Sequence, residues 1–209
     1  MAKIYTSMGL MSGTSLDGID VSIIKSDGKR EYSSILDRYF EYDRELIQKL
    51  LKIRDKIGNS DDLLKYFEEL RDLEREITLF HVKAVDETIR IFDDDIDLIG
   101  FHGQTIFHDS KKKISKQLGD GKLLSQLTKK KVVYNFRQND LKNGGEGAPL
   151  APIYHKLLVK DFNDKKKLEL PVIILNIGGI ANITLINEKY EISSMDIGPG
   201  NCLIDKWIR

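Results

Sequence analysis

Near its start the chain carries a strand, a glycine-rich turn and a second strand, and this pattern restricts the fold more than any other feature. Residues 8–20 read MGLMSGTSLDGID. Apolar runs flank the turn, Ile4 to Leu10 before it and Ile19 to Ile24 after it, so the segment reads as a β-hairpin. The turn holds Gly13, Thr14, Ser15, Asp17 and Gly18. Glycines let a backbone come close to a ligand. Successive N–H groups in such a turn form an anion-binding nest, to which hydroxyls add donors. Asp17 and Asp20 only accept when ionised, so a phosphate beside them requires a cation, and Mg2+ suits that place. There is no Gly-Lys-Ser/Thr as in a Walker A loop, and a strand rather than a helix follows. An ordinary hairpin turn built from the same residue types is the competing reading at this level.

Composition narrows the function classes. The 209 residues are 41% hydrophobic and 32% charged, which fits a globular protein long enough for one large or two small domains. Lys+Arg and Asp+Glu both number 33, so no basic excess points to nucleic acid or an anionic membrane as partner. The short basic runs Lys111–Lys113, Lys129–Lys131 and Lys165–Lys167 read as solvated turns. One cysteine, Cys202, allows no internal disulfide, and a reducing cytoplasm is the expected location. No apolar run nears the ~20 residues that span a bilayer, and no signal peptide is recognisable.

Taken in order, residues 31–42 are β-rich and suit a third strand beside the hairpin. Asp43 sits where an N-cap would, ahead of a helical stripe of Leu46, Ile47, Leu50, Leu51 and Ile53. Asn59 or Ser60 can cap the next helix. Its stripe from Leu63 to Phe92 has three- and four-residue spacings and predicts a long, bent amphipathic helix with His81 in a structural role. Residues 96–101 read as a buried strand that delivers FHGQT to its end, where α/β sites usually lie. His102, Gln104, Thr105 and His108 suit a sugar or phosphate. The two histidines as metal ligands lack a third ligand. Residues 111–121 suggest a hairpin, Lys122 to Lys130 a short helix, and VVYNF at 132–136 a strand feeding a polar, glycine-rich ligand loop. In that loop Arg137 suits a carboxylate, or pairs with Asp140. A helix begins near Pro149 to Pro152. FNDKKKLELP at 162–171 reads as a lobe boundary, giving lobes of 1–165 and 166–209. Beyond it, Val172 to Ile177, NIGGIAN and ITLI repeat the pattern of the first hairpin. A third strand, YEISSMD, ends at Asp196, and GPGN turns the chain into a helix near Cys202. Asp196 at a strand end suits catalysis, with a turn-capping carboxylate as the alternative.

Five blocks together resemble the anhydro-N-acetylmuramic acid kinases, relatives of actin, hexokinase and the heat-shock ATPases. They are MSGTSLDGID, FHGQTIFH at 101–108, QLGDG at 117–121, NGGEGAPLAPIYH at 143–155, and NIGGIANIT with DIGPGNCLID at 176–184 and 196–205. The resemblance implies an α/β, ribonuclease H-like (actin-like ATPase) lobe, a mixed sheet with flanking helices, plus the start of a second such lobe. It implies ATP and Mg2+, with two hairpins gripping the nucleotide. Phosphate contacts would come from Gly13, Thr14, Ser15, Leu16, Asp17, Gly18, Ile19 and Asp20, and from Gly178, Gly179 and Asn182. Asp17 and Asp20 are the implied metal ligands. Sugar contacts would come from His102, Gln104, Arg137, Asp140, Gly198 and Asn201, and Asp196 would be the general base. The implied reaction opens 1,6-anhydro-N-acetylmuramic acid with water and phosphorylates O6, giving N-acetylmuramate 6-phosphate in peptidoglycan recycling.

Two departures bear on specificity. Leu141, Lys142 and Asn143 stand where the family has small residues, and Glu146 replaces a common Gln. The family's adenosine-binding segment would follow Arg209, so a fragment, or a lobe supplied by a separate chain, is the expectation, with weak ATP binding and little catalysis alone. A homodimer is a further expected assembly. Competing readings are another actin-like sugar kinase or acyl-phosphate-forming kinase, and a non-catalytic module binding nucleotide or sugar.

Overall fold

The computed structural model describes residues 3–166 and 168–208. Three antiparallel strands lead: β1 (Tyr5–Ser12), β2 (Gly18–Ser26) and β3 (Tyr32–Glu41). Helices α1 (Arg44–Lys56), α2 (Asp62–Lys65) and α3 (Phe67–Ile89) follow. Then come β4 (Leu98–Asp109), β5 (Ile114–Leu118), α4 (Gly121–Thr128), β6 (Val132–Tyr134), α5 (Phe136–Lys142) and α6 (Pro152–Lys166). The chain continues with β7 (Val172–Ile177), β8 (Ile180–Ile186), β9 (Ile192–Pro199) and α7 (Cys202–Ile208).

A six-stranded sheet has the order β3-β2-β1-β4-β5, with β6 beside β4. The β1–β4 and β4–β6 pairs are parallel and the others antiparallel, giving the mixed actin-like lobe expected. One edge of β4 serves two partners. β6 pairs with Ile99–Phe101 and β5 with Gln104–Asp109, while β1 lies along the opposite edge. The core lies where the sheet meets α1 and α3. It holds Leu10, Ile19, Ile23, Leu46, Leu50, Ile77, Val85, Ile99 and Phe101, all buried. Alternation on the strands and a three-to-four spacing on the helices put these groups on facing surfaces.

The local signals perform as physics predicts. Asp43 caps α1, its Oδ1 accepting from Leu46 N–H at 2.8 Å. Asn59 Oδ1 accepts from the Asp61 and Asp62 N–H groups at 2.8 and 3.3 Å. The long helix breaks at Tyr66 into α2 and α3. Among the described residues, no helix is long and apolar enough to cross a membrane. Lys111–Lys113 lie in an exposed turn, as expected, whereas the run Lys165–Lys167 lies outside the residues whose side chains are described.

Several boundaries differ from the sequence reading. FHGQT lies inside β4 rather than at its end, because β5 extends the pairing through Asp109. Strand β6 stops at Tyr134, and Arg137 to Asp140 sit on α5 rather than in a loop, since Asn135 in a left-handed conformation turns the chain into a helix. Asp196 is inside β9, which pairs with β8 as far as Pro199. Residues 162–166 continue α6. A second, three-stranded sheet, β7-β8-β9, is an antiparallel meander like β3-β2-β1.

Candidate functional site

The first turn, residues 13–17, joins β1 to β2. Its own bond is Leu16 N–H to Gly13 O at 3.4 Å, and Tyr42 N–H reaches Asp17 O at 2.8 Å. Ser15 Oγ donates to Asp17 Oδ1. Leu16 and Ile19, expected beside phosphate, are buried in the core with Gly18, and Asp17 and Asp20 are exposed. Burial, and then the charge of Asp17, raises the Asp20 carboxyl above its ordinary value. Two neighbouring carboxylates with only oxygen donors fit a hard cation that also takes phosphate oxygens. Among the described residues, no group of three or more His, Cys, Asp and Glu is placed to hold a metal by itself.

Gln104 is buried and its Nε2 donates to Gly13 O at 2.8 Å, so it braces the first turn, while its Oε1 has no partner. His102 and Arg137 form one unit. Arg137 Nε–H donates to His102 Nε2 at 2.9 Å, so His102 Nδ1 carries the proton and donates to Gly103 O at 2.7 Å. Burial, and then the Arg137 charge, holds the His102 imidazole down to about 4, so it is neutral.

Arg137 and Asp140 do not pair with each other. They grip the same residue, Arg137 Nη1–H donating to Gly147 O at 2.9 Å and Asp140 Oδ2 accepting from Gly147 N–H at 2.8 Å. Gly147 is buried at φ 74, where a Cβ would press on Leu141 and on His108 Cε1, so a side chain is excluded both by conformation and by space. The glycine-rich loop after α5 is thus held by α5. Exposed His108 lies against this loop and bonds Ser115 Oγ through Nδ1 at 3.1 Å.

On the second sheet, the turn is Gly178–Gly179. Its carbonyls accept from the loop after β9: Gly200 N–H to Gly179 O at 2.9 Å and Asn201 N–H to Gly178 O at 2.8 Å. Asn201 Nδ2 also donates to Ile177 O at 3.2 Å, so that side chain supports the turn. Gly198 takes φ 147 in open space. In register, Asn176, Asn182 and Asp196 form a polar row across β7, β8 and β9. Thr184 shares their face by alternation, and it bonds His155 Nδ1 of α6 at 2.8 Å. The row therefore lies on the face that α6 covers.

The two sheets meet at these parts. Gly179 lies so close to Thr14 Oγ1 that a Cβ there would collide with it. Asp196 is exposed, and its charge opposes the effect of burial on Arg137 and on His108. Sequence reasoning named the two turns, Asp196 and Arg137. It missed Tyr42, whose signal was only its place before the Asp43 cap, and the His155–Thr184 bond between α6 and the second sheet.

A family model described as "Anhydro-N-acetylmuramic acid kinase" matches residues 5–209. A protein of that name from Pelagibacter ubique (strain HTCC1062) is 57% identical over 211 residues, covering 100% of this chain and 55% of that protein. Another from Agrobacterium fabrum (strain C58 / ATCC 33970) is 42% identical over 218 residues, covering 100% and 56%. A third, from Rhizobium etli, is 39% identical over 211 residues, covering 100% and 56%. The chain spans about half the length of the curated relatives it matches.

Proposed function

Because this chain belongs to the anhydro-N-acetylmuramic acid kinase family, we propose that it provides the phosphate-gripping and sugar-facing parts of a kinase that opens 1,6-anhydro-N-acetylmuramic acid and phosphorylates it at O6. The observation that carries this reading is the contact of Gly179 with Thr14, which brings two glycine turns from two sheets to one gap. The lobes in this reading are residues 1–165 and 166–209.

Asp196 takes a proton from the water that attacks C1. The bond from C1 to the bridging oxygen breaks, that oxygen becomes O6, and O6 takes the γ-phosphoryl group of ATP as ADP leaves. Phosphoryl transfer depends mainly on positioning and charge neutralisation. The amides and hydroxyls of Gly13 to Ser15 and the turn Gly178–Gly179 would hold the phosphates, with Asn182 beside them. Leu16, Gly18 and Ile19 shape the first turn from within. Asp17 and Asp20 would hold Mg2+, which when bound offsets phosphate charge. Arg137, with His102 kept neutral beside it, offers its remaining N–H donors to the lactyl carboxylate. Gln104, Asp140, Gly198 and Asn201 shape the surrounding loops.

The test is ADP release from ATP with Mg2+ and 1,6-anhydro-N-acetylmuramic acid, with calorimetry for ATP binding. A positioned carboxylate base contributes roughly 10²–10⁴-fold, so Asp196→Asn is expected to lower sugar-dependent turnover by that order while ATP still binds. Near-normal turnover in Asp196→Asn would remove the base assignment. ATP binding without sugar-dependent ADP release would favour a binding module.

A further inference from the structure

Beneath the first turn lie three buried polar side chains from separate elements: Ser12 at the end of β1, Tyr42 after β3, and His81 in the middle of α3. Their bonds have one consistent direction. His81 Nδ1 lies 2.8 Å from Ile77 O, and a carbonyl can only accept, so Nδ1 carries the proton. Nε2 is then an acceptor, and Ser12 Oγ–H donates to it at 3.2 Å. With its proton committed, Ser12 Oγ accepts from Tyr42 Oη–H at 2.9 Å. The order runs Tyr42 to Ser12 to His81 to Ile77. Burial keeps His81 neutral, as this order requires.

Tyr42 holds the turn at both ends. Its hydroxyl binds Ser12, the residue just before the turn, and its backbone N–H binds Asp17 O, at the far side. Apolar contacts fix both rings, Tyr42 edge-on to Phe80 with centroids 5.0 Å apart and His81 edge-on to Phe101 at 4.8 Å. Buried polar chains that are fully satisfied specify one geometry, since any alternative strands a polar group. A turn that only had to close a hairpin would not need a hydroxyl chain anchored in a helix.

We infer that Tyr42 and His81 are positioning residues of the first phosphate turn, locking its shape through Ser12 and Asp17 so that its amides are set before a nucleotide arrives. The inference rests on the phosphate-binding reading for its consequence, but the locking itself is measurable without a ligand. Preorganised donors bind more tightly because less ordering cost falls on binding.

The experiment compares the wild-type chain with Tyr42→Phe, His81→Leu, His81→Gln and Thr88→Val. Hydrogen exchange over residues 12–18 and Tyr42 reads the turn, and calorimetry with ATP and Mg2+ reads binding. One lost hydrogen bond corresponds to roughly three- to tenfold. Tyr42→Phe and His81→Leu are expected to speed exchange in the turn by about that factor and to weaken ATP by a similar one. His81→Gln, which can still accept from Ser12, is expected to recover most of both. Thr88, buried on the same helix and bonded to Ala84 O, is the control: Thr88→Val should lower the melting temperature and leave the turn unchanged. Unchanged turn exchange in Tyr42→Phe, or an equal effect from Thr88→Val, overturns the inference. Faster turn exchange in Tyr42→Phe with unchanged ATP affinity supports the lock while removing its consequence for nucleotide binding.

Discussion

The first hairpin, β1 with β2, and the second, β7 with β8, start from the same local instructions: an apolar strand, a turn containing glycine, and another strand. Their surroundings differ. In β2, Ile19, Val21 and Ile23 are 0%, 1% and 0% exposed, whereas in β7 Ile173, Leu175 and Ile177 are 62%, 52% and 56% exposed. The first turn is held from below by side chains of β4 and of the segment ahead of α1. The second is held by backbone bonds from residues 200–202, with α6 covering one face of its sheet. A glycine hairpin is therefore a local unit whose rigidity comes from what packs against it, and this chain contains a rigidly supported copy and a more open one.

The largest expected difference lies in the core. Ile77→Ala on α3 is expected to cost about 2–5 kcal/mol, as buried large-to-small changes do. Ile173→Ala on the bare face of β7 is expected to stay within about 0.5 kcal/mol. Urea unfolding of both variants checks this, and equal costs would break the contrast. A smaller difference separates two glycines. A Cβ at Gly18 collides with the carbonyl oxygen of Phe40 on the paired strand, so Gly18→Ala is expected to cost about 1–3 kcal/mol. A Cβ at Gly179 meets the end of the Thr14 side chain, which Thr14→Ala removes. Melting curves for the single and double variants should show Thr14→Ala rescuing Gly179→Ala, a coupling of at least about 0.5 kcal/mol.

A further contrast is one of pH. His81 and His102, both in the supported sheet and its helix, are held at about 4, by burial first in each case. The unfolded imidazole titrates near 6.5. Between about 6.5 and about 4 the unfolded chain binds more protons, so stability falls as pH falls through that window and levels off below it. His102→Gln is expected to shallow this slope in melting temperatures taken from pH 7 to pH 4. An unchanged slope would show that the Arg137–His102 unit is open to water.

Much of the fold was legible because its signals are local. Asp43 as a cap needs only its own helix, the stripe from Leu63 to Phe92 needs only helical periodicity, and the two glycine turns need only their flanking strands. Boundaries were less legible where a partner strand decided them. FHGQT became strand because β5 pairs along it, and Asp196 lies inside β9 because β8 continues beside it. Arg137 and Asp140 were recognisable as an interacting pair of residue types, but their shared target, Gly147, depends on how α5 places the loop behind it.

By itself the sequence determined the alternation of strands and helices, the two turn chemistries and the residue types suited to phosphate, cation and proton transfer, since these follow from side-chain chemistry over a few residues. Tertiary structure alone decided that Thr14 meets Gly179, that Arg137 meets His102, and that Tyr42 reaches both ends of the first turn. Those meetings join residues far apart in the chain, and only the packing of two sheets and their helices brings them within contact distance.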